Sequence, residues 1–212
     1  MKKISKVLLF TLLFMGVGSI SAQRKIDYVN PLIGTNGMGH TFPGACVPNG
    51  LIQLSPDTDT VPHNVDGAYQ PRAYEYCAGY QYHDKSIVGF SHTHLNGTGH
   101  SDLGDILVMP VVGKVKFNPG TAENPDAGYR SRFSHDTEKA HPGYYSVLLD
   151  DYGVRAEMTA TQRVGVHKYT FPGGEAHILL DLIHGIYNYD GKVLWANLRV
   201  ENDTLLTGYR IT

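Results

Sequence analysis

The sequence predicts an all-β protein, and three features point to that class. From Asp105 onward, short apolar runs of strand length recur between Gly, Pro, Asp and Asn residues. In KVLWANLRV (192–200), apolar side chains occupy every second position from Leu194 to Val200, which is the period of a strand with one apolar face. No amphipathic pattern longer than two helical turns follows the first 22 residues. A β-rich domain with long loops is therefore expected.

The first 22 residues have the pattern of a secretory signal peptide. Lys2, Lys3 and Lys6 precede the apolar run VLLFTLLFMGVG, and small residues lie just before Gln23. The run is too short for a membrane span. We therefore expect a mature domain over residues 23–212 that is secreted or periplasmic, with no membrane span after signal cleavage.

Charge and cysteine content narrow the classes of partner. Loss of the three signal lysines changes the formal net charge of −2 to −5, so no basic surface for nucleic acid is expected. Cys46 and Cys77 could form a disulfide in an oxidising compartment, or could be two buried thiols. Their spacing is not that of a zinc framework.

The elements are expected in a fixed order along the chain. Residues 30–104 are rich in Gly and Pro and predict long loops that approach a ligand or turn tightly. The chain should then form strands from the runs DILVMPVVG (105–113), KVKF (114–117), YRSRF (129–133), GYYSVLLDD (143–151), VRAEMTATQRVGVHKYTF (154–171), AHILLDLI (176–183) and KVLWANLRV (192–200). Asp190-Gly191 and Asn202-Asp203 predict hairpin turns. The final run LLTGYRIT reads as a strand that stops without a turn, so we expect the chain to be part of a longer protein.

The stretch GFSHTHLNGTGHSDLGD (89–105) concentrates three histidines and two aspartates, and it allows three interpretations. If a strand runs on from Ile87, His92 and His94 share one face and could bind a metal, with His100 and an aspartate completing the site.

A second interpretation is a sugar site, because histidine, aspartate and asparagine bond hydroxyl groups and aromatic rings stack on sugar faces. The nearby aromatic residues are Tyr74, Tyr76, Tyr80, Tyr82 and Phe90. A third is structural: the histidines hold loop backbone, Asp102 caps a turn, and the glycines allow positive φ.

Two segments of the sequence, the second of which includes this stretch, carry a resemblance to a known family. VNPLIGTNGMGHTFPGACVPNGLIQLSPDT (29–58) and CAGYQYHDKSIVGFSHTHLNGTGHSDLGDILVMP (77–110) resemble the N-terminal domain of family-92 glycoside hydrolases, which are exo-acting α-mannosidases. The resemblance extends from about Asp27 to the last residue. It implies a large antiparallel β-sandwich of the galactose-mutarotase-like supersandwich kind, truncated at its C-terminal end, without the helical barrel that follows in the family.

The resemblance also implies a function. The parent would be a calcium-dependent inverting α-mannosidase that trims mannose from glycans, including N-glycans. Its calcium and both catalytic carboxylates would come mainly from the missing helical barrel.

For this chain the resemblance assigns no catalytic residue and no metal ligand, and it places His40, Phe42, His92 and His94 at the rim of the sugar pocket. The expected partners are a mannose-containing glycan and the helical barrel, and the chain alone is expected to be inactive. The alternatives are a free-standing carbohydrate-binding β-sandwich and a hydrolase with a histidine-bound metal.

Overall fold

A computed structural model describes residues 24–59, 61–189 and 191–212. The predicted signal peptide lies outside the described residues. Within them no helix is long and apolar enough to cross a membrane.

The described part of the chain is built from short strands joined by long loops. One α-helical turn, α1 (Arg72–Glu75), and three 3-10 turns (Lys25–Tyr28, Gly37–Gly39 and Pro125–Ala127) interrupt them. The strands are β1 (Ala45–Cys46), β2 (Gln53–Asp57), β3 (Asn64–Val65), β4 (Ala68–Tyr69), β5 (Ser86–Ile87), β6 (Gly89–Ser91), β7 (Leu107–Val112), β8 (Ser131–Arg132), β9 (Lys139–His141), β10 (Tyr144–Leu149), β11 (Val154–Ala160), β12 (Gly165–Thr170), β13 (Ala176–Asp181), β14 (Trp195–Asn202) and β15 (Leu205–Ile211).

Two antiparallel sheets form the layers of a sandwich. The first has the order β1-β2-β6-β7-β13, and the second has the order β12-β11-β10-β9. Strand β11 of the second sheet lies against β1, β2 and β7 of the first. Three two-stranded ladders, β3-β4, β5-β8 and β14-β15, flank these layers. This architecture confirms the predicted all-β antiparallel fold.

The core fills the space between the two sheets. Along β11, Val154, Ala156 and Met158 are buried while the residues between them are partly exposed, as the sequence alternation requires. They pack in one cluster with Leu54 and Phe90 of the first sheet. Each such side chain contributes roughly 1.5–3 kcal/mol when it leaves water. Apolar burial between the layers therefore holds the long loops in place.

The structure corrects two details of the predicted elements. KVKF (114–117) forms no strand, and Phe117 is 89% exposed. Two alternating apolar residues followed directly by an Asn-Pro-Gly turn are too few to build a buried face. At the predicted Asn202-Asp203 turn, Asn202 is the last residue of β14, and its Oδ1 accepts the backbone N–H of Thr204 at 2.9 Å. The turn therefore lies one residue later.

The β14-β15 hairpin is confirmed as a pair of strands, yet its apolar face lies open. Val200 is 71% exposed, and Leu194 and Leu198 on the same face are 70% and 45% exposed. Within the described residues, nothing covers this face. Exposed apolar surfaces of this kind mark places where further polypeptide or a ligand packs.

Candidate functional site

The histidine-rich stretch forms a loop between β6 and β7 whose ends are tied together. His92 N–H donates to the Asp105 carbonyl at 3.0 Å, and Gly104 N–H donates to the Thr93 carbonyl at 2.8 Å. The Thr93 hydroxyl also donates to Asp105 Oδ2 at 2.8 Å. Because β6 ends at Ser91, the alternation that would place His92 and His94 on one face stops before either residue. The same-face expectation is therefore corrected.

His94 lies at the centre of a buried ion pair. Its Nε2 is 2.9 Å from Asp57 Oδ1, and neither side chain is exposed. His184 Nε2 donates to the other carboxylate oxygen, Oδ2, at 2.8 Å. Asp57 thus joins β2 to the histidine-rich loop and to the segment after β13.

Both ring nitrogens of His94 have partners. Nδ1 lies 2.6 Å from the Gln53 carbonyl, and Nε2 lies 2.9 Å from Asp57 Oδ1 and 3.1 Å from Ser91 Oγ. Burial by itself would raise the pKa of Asp57, but the charge of His94 and hydrogen bonds from His184 and His94 hold that pKa well below its usual range.

His92 belongs to a different network. Its Nδ1 donates to the Ile106 carbonyl at 2.7 Å, which leaves Nε2 to accept from His167 Nε2 at 3.0 Å. Nδ1 of His167 then accepts the Tyr169 hydroxyl at 2.7 Å. Both rings are neutral in this chain of bonds. Burial lowers the pKa of His92 and lowers the pKa of His167 to about 4.

His40 has the most unusual environment of the predicted site residues. It is 7% exposed, its backbone is left-handed at φ 51°, and its ring meets Tyr74 edge-on at 4.7 Å. Its carbonyl accepts the Gly97 N–H at 2.6 Å, which ties it to the histidine-rich loop. Among the described residues, its buried Nε2 has no hydrogen-bond partner. A buried polar atom in this condition is able to bond an entering hydroxyl group or water.

Phe42 and His94 are the two predicted residues that the structure brings together. Their ring centroids are 5.1 Å apart, and both line a cleft of about 760 Å³. Cys46, Gln53 and Asn96 are also on its wall. The volume lies within the range of small-molecule sites, roughly 300–1,000 Å³.

A second surface escaped the sequence analysis. Tyr187 contacts the ring of His63 at 4.5 Å and that of Tyr189 at 5.2 Å. Lys192 Nζ lies 5.7 Å from the Tyr187 centroid and 3.6 Å from Asp102 Oδ1. We call these five residues the Lys192 surface. The sequence signal was YNYDG (187–191), where two tyrosines precede the predicted Asp190-Gly191 hairpin turn, of which Asp190 lies outside the described residues.

Lys192 is a buried cation at the centre of this surface. It is 6% exposed, and its Nζ has no hydrogen-bond partner within the described ranges. Burial lowers its pKa, partly opposed by the Asp102 charge. It lines a cleft of about 430 Å³ together with Asn188, Tyr189 and Trp195.

The described residues contain neither a metal-binding cluster nor a disulfide between Cys46 and Cys77. In residues 24–59, 61–189 and 191–212, no group of three or more His, Cys, Asp or Glu side chains could hold a metal ion. Cys46 and Cys77 are free thiols. Cys77 Sγ contacts the Tyr74 carbonyl at 2.9 Å and Ser101 Oγ at 3.4 Å, so it links α1, which carries Tyr74, to the histidine-rich loop.

Known proteins share this fold and sequence. The family model of the glycosyl hydrolase family 92 N-terminal domain matches residues 28–212. A family GH92 α-mannosidase of Bacteroides thetaiotaomicron, solved with mannoimidazole, is 46% identical with a TM-score of 0.78. The match covers 89% of this chain and 23% of the mannosidase chain. A family GH92 inverting mannosidase of Bacteroides thetaiotaomicron VPI-5482 is 29% identical with a TM-score of 0.57, covering 76% of this chain and 20% of its own.

A curated relative extends the likeness to a fungus. An uncharacterized secreted glycosidase of Arthroderma benhamiae is 32% identical over 183 residues, covering 78% of this chain and 21% of the relative. The chain thus spans less than a quarter of the length of these relatives. The family model matches residues 28–212, and the sandwich superposes on a solved member of the family. The chain therefore belongs to glycosyl hydrolase family 92, and its match is to the N-terminal domain of that family.

Proposed function

We propose that this chain is the carbohydrate-contacting N-terminal domain of a secreted, inverting α-mannosidase that trims mannose from glycans. The observation that carries the proposal is 46% identity over 89% of the chain to a GH92 α-mannosidase solved with mannoimidazole. The inverting outcome is supported by a second structural relative, which is an inverting mannosidase. Secretion is supported by the signal-like residues 1–22 and by the name of the curated relative.

His40 and Phe42 are the proposed sugar contacts. The unpartnered Nε2 of His40 offers a hydrogen bond to a hydroxyl group, and the adjacent Tyr74 ring, 41% exposed, offers an apolar face. Phe42 supplies an apolar wall of the 760 Å³ cleft.

We propose that His92 and His94 position the loops around these contacts and do not themselves bind the sugar. Both nitrogens of each ring are already bonded within the protein. His94 packs against Phe42, and His92 holds the backbone where the loop returns to β7.

The proposal assigns catalysis to residues outside this chain. Inversion needs two carboxyl groups roughly 6.5–9.5 Å apart with a water between base and sugar. The most deeply buried acids, Asp57 and Glu138, are occupied by protein donors: Asp57 by two histidines, and Glu138 by the hydroxyls of Tyr80 and Tyr145. Neither can reach a substrate.

Calcium belongs to the proposed whole enzyme in the same way. The ion takes about 6–8 oxygen ligands, mostly carboxylates and carbonyls. The described residues do not fit that requirement, because they hold no cluster of acidic side chains able to bind a metal. No step of the proposal is therefore derived through a calcium ion on this chain.

The experiment is a chimera in which residues 24–212 replace the matching quarter of the Bacteroides thetaiotaomicron α-mannosidase. We expect the chimera to hydrolyse an α-mannoside and the 212-residue chain alone to be inactive. A folded chimera without mannosidase activity would contradict the proposed function. Turnover by the chain alone would contradict the division of labour, and saturable mannose binding by the chain together with an inactive chimera would favour a free-standing carbohydrate-binding sandwich.

A further inference from the structure

A second cleft, of about 350 Å³, has a buried arginine at its floor. Arg130 is 2% exposed, and its Nη2 donates to the Thr58 carbonyl. Its Nε and Nη1 have no hydrogen-bond partner among the described residues. Burying charged donors without acceptors is costly, so a ligand or water that supplies acceptors would stabilise this arrangement.

Two basic and two acidic side chains line the cleft, and their exposure increases from its floor to its mouth. Asp59 Oδ1 is 4.0 Å from Arg130 Nη1, and Asp59 Oδ2 is 3.7 Å from Arg72 Nη2, so this carboxylate forms ion pairs with both guanidinium groups. The Asp59 side chain is 19% exposed and that of Arg72 is 51% exposed, while Glu123 lies exposed at the mouth. Two guanidinium groups thus face two carboxylates across one opening.

This balance selects a ligand class. A free anion entering the cleft meets Asp59 and Glu123, and a cation meets the two arginines. A neutral group that both donates and accepts hydrogen bonds meets partners of both kinds. Val61, Pro62, Val88 and Pro119 complete the wall with apolar surface. Neighbouring hydroxyls on the carbon ring of a sugar have this combination of features.

The cleft is also placed beside a surface already described. Asn188 lines both this cleft and the one beneath Lys192. Pro62 on its wall is followed by His63, whose ring contacts Tyr187 of the Lys192 surface. An extended glycan could therefore occupy both clefts at once.

We propose that the Arg130 cleft is an additional sugar subsite that binds vicinal hydroxyls of a glycan unit through Arg130, Arg72, Asp59 and Glu123. The identity of the sugar as part of a mannose-containing glycan rests on the proposed function, whereas the hydroxyl-binding chemistry rests on this cleft alone. The burial that lowers the pKa of Arg130 is consistent with a site that gains from a bound acceptor.

The test is calorimetric titration of the purified chain with α-mannobiose, with a non-mannose disaccharide such as cellobiose, and with inorganic phosphate. Arg72→Gln and Glu123→Gln change side chains at the open mouth of the cleft, where folding is least at risk. Arg163→Gln, an exposed arginine in the turn before β12, is the matched control. Arg130→Lys, checked for folding by circular dichroism, tests the floor.

We expect saturable binding of α-mannobiose that weakens at least about tenfold in Arg72→Gln and Glu123→Gln, and that is unchanged in Arg163→Gln. Cellobiose binding that is lost in the same variants, without mannobiose binding, would keep the subsite and contradict the proposed function. Mannobiose binding unaffected by the mouth variants would overturn the subsite and leave the proposed function standing. Absence of binding by either disaccharide, or binding of phosphate alone, would overturn the inference.

Discussion

His94 donates to Asp57 across 2.9 Å in a position where neither side chain touches solvent. This contact joins β2 to the histidine-rich loop, and His184 extends it to the segment after β13. Both histidines follow Asp57 in the sequence, by 37 and 127 residues. The candidate sugar loop is therefore fixed by an ion pair in the interior.

Replacing Asp57 should unfold much of this arrangement. Asp57→Asn removes the buried carboxylate that His94 and His184 both contact, and breaking a buried pair typically costs about 3–5 kcal/mol. Urea unfolding of Asp57→Asn should show a free energy of unfolding lower by that amount. Asp126→Asn, whose carboxylate pairs with Arg132 on the surface, should leave the unfolding midpoint nearly unchanged. Equal effects of the two changes would contradict the role given to Asp57.

Gly79 protects the same carboxylate from crowding. Its φ is +75°, and an added Cβ would lie 2.1 Å from Asp57 Oδ1. Gly143 has φ +77° with open space around it, so it isolates the backbone contribution. Gly143→Ala should cost about 1 kcal/mol, and Gly79→Ala should cost clearly more in the same thermal or urea unfolding experiment. A Gly79→Ala protein as stable as Gly143→Ala would show that Asp57 has room to move.

The His92–His167 pair predicts acid sensitivity. The pKa of His167 in the folded protein is about 4, below the usual value of about 6.5, so the unfolded chain binds more protons between those two pH values. Stability should be complete above about pH 6.5 and should fall as the pH approaches 4, by on the order of 3 kcal/mol for this residue.

Urea unfolding at several pH values measures this loss. His167→Gln, which removes the titrating ring, should show a smaller loss between pH 6.5 and 4 than the unchanged protein. His141→Ala, at an exposed position of β9, should show the full loss. A pH dependence that is the same in His167→Gln would exclude the histidine pair as its source.

The sequence predicted what local periodicity controls. The alternation in β11 is local, and the structure confirms it because apolar burial on one face of a strand needs only period two. The strand predicted for KVKF (114–117) does not form, because two apolar residues bury too little surface to stabilise it. The open apolar face of β14-β15 shows that alternation reports which residues share a face and does not report what covers that face.

The candidate site could be located only in part, because its contacts are distant in sequence. The resemblance to the family pointed to His40 and the histidine-rich loop. It could not show that His92 bonds to His167, 75 residues away, or that His94 bonds to Asp57. Arg130 was unremarkable in the sequence, since its burial and its unpartnered nitrogens arise from the packing of loops that follow β2 and precede β8.

The most direct test of the account is the affinity of mannoimidazole for the chimera that carries residues 24–212, measured by calorimetry with and without His40→Ala. We predict one-to-one binding that weakens by about tenfold or more in His40→Ala, because a ligand hydroxyl loses its proposed hydrogen bond to the buried Nε2, and that is unchanged in His141→Ala. Binding of equal strength in all three proteins would contradict the claim that this domain forms a wall of the mannose pocket.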